Sequence, residues 1–168
     1  PNAATNFKAT LQGADRLMSW PVLKEIAVQC ADRSSLMRIS SFGEVLMHPE
    51  AIEMICYILA TKVDRNVALT TNGALLNAED AERLMSNGIR SIEFSMDAGS
   101  RDTYEKIRVG LKWETTLKNI EDCIKIRDQR GYETQLMISI IEQPDNEQEI
   151  EQIFDFWEPK VNNVLIRK

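Results

Sequence analysis

An α/β fold built on parallel strands is what the 168 residues predict, and three observations lead there. Short β-branched or apolar runs alternate with segments of helical periodicity. The runs begin at positions 36, 67, 91, 134 and 163, so successive starts lie 31, 24, 43 and 29 residues apart, the length of a strand, a helix and two short connections. Turn residues bound each run. Repeated β-α units imply parallel strands, because every helix must carry the chain back across the sheet, through right-handed crossovers. Two architectures satisfy this pattern, a doubly wound sheet and a piece of a β/α barrel. In both, ligands collect at the carboxyl ends of the strands.

The elements follow in order. The opening "PNAATNFKATLQGADRLM" is polar and weakly patterned and reads as a lead-in loop over 1–18. Order begins at Ser19: Pro21 suits a first helical turn, and Val22, Leu23, Ile26 and Cys30 make one apolar face, ending near Asp32. The strands are expected at "LMRISS" (Leu36–Ser41), "VALTT" (Val67–Thr71), "SIEFSM" (Ser91–Met96), "TQLMISII" (Thr134–Ile141) and "NVLIR" (Asn163–Arg167). Helical faces are spaced between them: Ile52, Ile55 and Leu59; Ala78, Ala81, Leu84 and Met85; Trp113, Leu117, Ile120 and Ile124; Ile150, Ile153, Phe154 and Trp157. The 43-residue interval has room for two helices. Candidate caps stand at His48, Asn77, Ser100 and Asn146, the last with Glu149 three residues on. The whole reads as one domain, with β/α units over 19–168.

Composition narrows the function classes. The chain is 43% hydrophobic, 27% charged and carries a formal charge of −6. No Lys/Arg block stands out, so the footprint of a nucleic-acid binder is missing. No apolar run reaches the roughly 18 residues of a membrane span, and no signal segment opens the chain, which reads as cytoplasmic. It starts at Pro1 rather than Met, as a processed or excised piece would.

The strand ends share one polar rim. After the first run comes Ser41-Phe42-Gly43-Glu44, after the second Thr71-Asn72-Gly73, after the third Ser95-Met96-Asp97, and Ser139 stands near the end of the fourth, before Glu142 and Gln143. Such a mouth suits a polar small molecule. Thr71-Asn72-Gly73 also reads simply as a turn, and Asp97 as a cap for the next helix. Glu44 reads as a ligand-binding acid, because His48 already offers a cap and Gly43 points to close backbone approach. His48 itself, the single histidine, reads as a cap rather than a base.

"FGEVLMHPE", "LTTNGALL" and "SIEFSMDAGSRDTYEKIR", in this order and spacing, resemble the core of radical S-adenosylmethionine enzymes over residues 36–168. They are most similar to the branch of cofactor-maturation and peptide-modifying, SPASM-like members. The resemblance implies a partial, TIM-like (β/α)6 barrel whose first strand would precede Pro1. It implies that Gly43 and Glu44 bind the amino group of S-adenosylmethionine, that Ser95 helps hold it, that Arg108 meets its carboxylate, that Ser139 falls near the ribose and that Leu165 flanks the adenine. Thr71, Asn72 and Asp97 would face the substrate. Val45 stands where the family usually has Pro, and Gly110 lies one place beyond the usual Ile-Arg-Gly.

The implied chemistry is reductive cleavage of S-adenosylmethionine by a [4Fe–4S] cluster, giving a 5′-deoxyadenosyl radical that abstracts hydrogen from a small-molecule or peptide substrate. A reductant such as flavodoxin or ferredoxin would supply the electron. Family members hold the cluster through CxxxCxxC, whereas this sequence has Cys30, Cys56 and Cys123, 26 and 67 residues apart. Each sits in a helical period as a small hydrophobe. The expectation is therefore a core whose cluster segment lies upstream, inactive by itself, with an exposed sheet edge open to self-association. The alternative is a cluster-free barrel, either a binding or scaffold module or an aldolase-like enzyme, for which Lys168 is the one lysine at a strand end.

Overall fold

The computed structural model describes residues 17–32 and 35–168, so most of the expected lead-in loop, residues 1–16, lies outside the described residues. Helix α1 (Trp20–Cys30) leads to β1 (Met37–Ile39), a single 3-10 turn (Val45–Met47) and α2 (Ala51–Thr61). Then come β2 (Val67–Thr71), α3 (Ala78–Ser86), β3 (Ser91–Ser95), the consecutive helices α4 (Arg101–Ile107) and α5 (Trp113–Arg130), and β4 (Gln135–Ile141). A second 3-10 turn (Glu147–Glu149), α6 (Ile150–Trp157) and β5 (Asn163–Arg167) complete the order.

The five strands form one sheet in chain order, β1-β2-β3-β4-β5, and every neighbouring pair is parallel. With right-handed crossovers and no reversal of strand order, all connecting helices fall on the same face. A doubly wound sheet needs such a reversal. The chain is therefore a partial β/α barrel, with helices outside and a concave bore inside.

Register assigns the side chains to these two faces. Leu69, Ile92 and Leu136 share one row, and Phe94 and Ile138 the next; all are fully buried against the helices, where Ala81, Leu84, Ile120 and Cys123 meet them. Fully burying one such large side chain contributes about 1.5–3 kcal/mol. The opposite parity gives the bore Thr70, Glu93, Ser95 and Ser139. A parallel strand buried on both faces is normally apolar throughout, so the polar letters of "SIEFS" mark a lining rather than a second core.

Differences from expectation have local causes. β1 keeps three residues of the expected six because only Met37, Arg38 and Ile39 pair with β2. Asn77 and Ser100 cap α3 and α4 as expected, accepting from the N–H groups of Asp80 and Thr103. His48 does not cap α2 itself: its Nδ1 accepts from the Glu50 N–H (3.1 Å) just before the helix, while Nε2 donates to the Met18 carbonyl (3.0 Å). That pairing fixes the neutral Nε2–H tautomer, since a carbonyl can only accept. Asn146 caps nothing with its side chain. Among the described residues, no helix is long and apolar enough to cross a membrane.

Candidate functional site

One carboxylate ties together the loops that leave β1 and β2. Glu44 stands in extended backbone ahead of Val45–Met47; its Oε1 accepts from the Leu46 N–H (3.0 Å) and the Thr71 hydroxyl (2.7 Å), and its Oε2 from the Asn72 N–H (2.7 Å). A cap at His48 therefore does not leave Glu44 idle, because Glu44 caps its own turn. A carboxylate has about four lone-pair sites, so one direction on Oε2 stays open to a cation. Beside this loop a groove of about 570 Å³, lined largely by apolar side chains including Ile39, Val45, Met54 and Ile55, has the size of a small-molecule site.

Thr71 does not open onto a cavity, as a substrate-side residue would. It is buried on the helix-facing side, its hydroxyl donating to Glu44 and accepting from the Gly73 N–H (3.1 Å). Asn72 accepts from the Ala74 N–H (2.9 Å) in an Asx turn. Gly73 needs to be glycine: its φ is +79°, and a Cβ there would stand 3.1 Å from Phe94 Cδ1.

Across the rim, Arg108 and Asp97 form a pair rather than facing different ligands. Arg108 Nη2 donates to Asp97 Oδ2, while Asp97 Oδ1 accepts from the Ile141 N–H (2.8 Å). Asp97 is buried, and it neither caps α4 nor faces an open substrate side. Arg108 ends α4, and its Nε is buried without a partner among the described residues. The Tyr104 phenol of α4 is buried, which pushes its pKa up, and it donates to the Thr116 hydroxyl (2.9 Å).

Ser95, Ser139 and Leu165 fall in one row across β3, β4 and β5. Ser95 is half-buried and its hydroxyl takes no partner among the described residues; Ser139 is buried and accepts from Arg167. Two residues that sequence reasoning left as helix-start signals prove to organise this rim. Asn146 donates to the carbonyls of Asp97 (2.7 Å) and Ile141 (2.8 Å), fastening the β3 and β4 exits together. Glu149 accepts from the Gly99 N–H and from the hydroxyls of Ser100 and Thr103. Burial pushes the Glu149 carboxyl up, but these hydrogen bonds outweigh it and leave the pKa below the ordinary value.

The three thiols do not fit an iron–sulfur cluster. They lie on α1, α2 and α5, and no group of three metal-ligating side chains converges among the described residues. Cys123 is buried in the core and its thiol is pushed up to about 12, whereas cluster ligands are thiolates. Cys30 and Cys56 are half-buried rather than fully so. Lys168 is no buried Schiff-base lysine either: its side chain is 86% exposed and lies 3.7 Å from Glu142.

Comparison with known proteins gives this geometry a family. Residues 5–156 match the family described as the Radical SAM superfamily. The chain is 34% identical over 115 residues to a GTP 3′,8-cyclase of Microcystis aeruginosa, covering 66% of this chain and 33% of that protein. It is 34% identical over 86 residues to a probable GTP 3′,8-cyclase of Methanococcus maripaludis (51% and 28%). It is also 35% identical over 85 residues to an AdoMet-dependent heme synthase of Methanosarcina barkeri (49% and 24%). The chain thus spans about a third or less of the length of these relatives.

Proposed function

This chain belongs to the radical SAM superfamily, whose members use S-adenosylmethionine and a [4Fe–4S] cluster, and we propose that its strand-end rim is the cofactor-holding part of such an enzyme. The observation that carries this reading is the pair of prearranged opposite charges at the strand ends: Glu44, held by Thr71 and Asn72, and Arg108, held by Asp97. Glu44 takes the ammonium through its open lone pair, and Arg108 takes the carboxylate. Ser95 donates its unpartnered hydroxyl, Gly43 offers backbone beside Glu44, and Ser139 and Leu165 line the far side of the same row. Thr71 and Asp97 act as positioning residues, while Asn72 stands nearest the substrate.

When bound beside the family's cluster, S-adenosylmethionine supplies radical hydrogen abstraction. The chain's own side chains bind and orient; none of its thiols ligates that cluster, whose ligands in the full-length protein lie outside these 168 residues. The substrate is a small molecule or peptide, and the electron comes from a protein reductant of the flavodoxin or ferredoxin kind. Motifs running from Gly43-Glu44 to His48-Pro49-Glu50 support the cofactor-maturing and peptide-modifying branch, and so do relatives named as GTP 3′,8-cyclases and a heme synthase.

The test is anaerobic reconstitution of the full-length protein with iron and sulfide, followed by dithionite and S-adenosylmethionine. Visible cluster absorbance and 5′-deoxyadenosine in the quench are expected. A protein that binds S-adenosylmethionine but takes up no cluster and releases no 5′-deoxyadenosine is a binding module instead.

A further inference from the structure

The bore contains a charge cluster that the cofactor reading touches only at Ser139. Glu93, at the centre of the middle strand β3, is only 2% exposed, yet it is met from both edges of the sheet. Arg38 of β1 places Nη1 2.8 Å from Glu93 Oε2 and 3.1 Å from the Thr70 hydroxyl. Arg167 of β5 places Nη1 2.9 Å from Glu93 Oε1, and the same nitrogen donates to Ser139. Strands two apart in a sheet are separated by roughly 10 Å, so both arginines lean inward over the concave face to share one carboxylate.

Two features exceed what a structural clamp needs. Two guanidiniums meet one carboxylate, which leaves this cluster net positive inside a chain whose total charge is −6. Each arginine also spends only Nη1; Nε and Nη2 have no partner among the described residues, and the side chains are 42% and 48% exposed. An arginine with a free Nε/Nη2 edge offers the planar fork that matches a carboxylate or phosphate in bidentate fashion. Glu93 lies one inward-facing step below Ser95, about 7 Å deeper along the strand; Arg38 starts a further step below it, whereas Arg167 starts one step above the row of Ser95, Ser139 and Leu165 and reaches down past it, so the two side chains meet at Glu93 beneath the row assigned to the cofactor.

We propose that Arg38 and Arg167 form an oxyanion site in the bore, preset by Glu93, that holds a carboxylate or phosphate group of the substrate. The proposal rests on the reading of the rim as the cofactor site, because that reading puts the substrate below it. Glu93 keeps the two forks apart and aimed, at the cost of competing with the ligand for their charge.

Anion binding can be tested without cluster, cofactor or turnover, so its failure is distinct from failure of the cofactor reading. Melting of the full-length protein is followed in rising inorganic phosphate, in acetate and in chloride at matched ionic strength, and binding is read from the stabilisation that mass action imposes. Stabilisation by phosphate above chloride points to a phosphorylated substrate, by acetate to a carboxylate, and by both to the shared oxyanion chemistry. Glu93→Gln keeps the shape and releases both arginines, and is expected to tighten anion binding about tenfold. Arg38→Lys keeps the ion pair to Glu93 but loses the fork, and is expected to weaken binding about tenfold. The triple variant Arg38→Gln/Glu93→Gln/Arg167→Gln avoids an unpaired buried charge and should lose the effect. No stabilisation above chloride, or equal stabilisation of the wild type and the folded triple variant, overturns the proposal and leaves the cluster as a clamp that curves the sheet.

Discussion

Glu44 shows how a side chain can be structural and ligand-binding at once. Its three hydrogen bonds fix the Thr71-Asn72 turn against the Gly43-Glu44 loop, so removing it exposes both roles. Glu44→Ala is expected to cost about 1–3 kcal/mol in urea unfolding, because the hydroxyl and N–H donors it satisfies are left partly buried. Glu44→Gln keeps acceptor capacity and should lose less stability while still losing the charge. The acid was legible from its motif; its partners were not. Thr71 lies 27 residues away and Asp97 meets Arg108 across 11, and only the fold brings such pairs together. The strand-end rule gathers the rim but cannot say which groups consume one another, and so Thr71 and Asp97 read as open when they are spent.

Among the elements, β2 and β5 match their expected bounds, because their β-branched and apolar runs coincide with the residues that pair with a neighbouring strand. β1 is shorter than its expected run at both ends, since Leu36 on one side and Ser40-Ser41 on the other find no partner on β2. The turn after β2 gives a direct test: Gly73→Ala places a Cβ against Phe94 in a left-handed backbone and should lower stability by about 1–3 kcal/mol, beyond the gain from a stiffer unfolded chain. Helix α5 gives another. With its thiol pushed up to about 12 and fully buried, Cys123 is expected to resist iodoacetamide in the native protein and react only on unfolding, while half-buried Cys30 and Cys56 label first. Peptide mapping after a short pulse reads this; native labelling of Cys123 would show that α5 does not seal the core.

For the molecule as a whole, acid should act through its buried carboxylates. Burial pushes the Glu93 carboxyl up, but Arg167 and then Arg38 outweigh it, so its folded pKa lies below the ordinary value. A carboxyl depressed in this way contributes stability that is fully present above its unfolded pKa, about 4.3, and is lost as pH falls through the folded value. Glu149 acts in the same direction. Unfolding free energy should therefore fall below about pH 4, and Glu93→Gln should flatten that limb; an unchanged slope would mean that Glu93 is not ion-paired in solution. The sheet offers two edges, β1 and β5, and the 168 residues taken alone are expected to self-associate through them, which light scattering at rising concentration will read as mass above the monomer.

The most direct test is calorimetric titration of S-adenosylmethionine into the reconstituted full-length protein, with Glu44→Gln and Arg108→Met made separately. If these side chains hold opposite ends of one zwitterion, each loses a charge-assisted hydrogen bond of about 1.5–3 kcal/mol. Kd should then rise roughly ten- to a hundredfold in each variant while the melting transition stays cooperative. Wild-type affinity in both folded variants would contradict the assignment and leave Glu44 a loop fastener and Arg108 the partner of Asp97 alone.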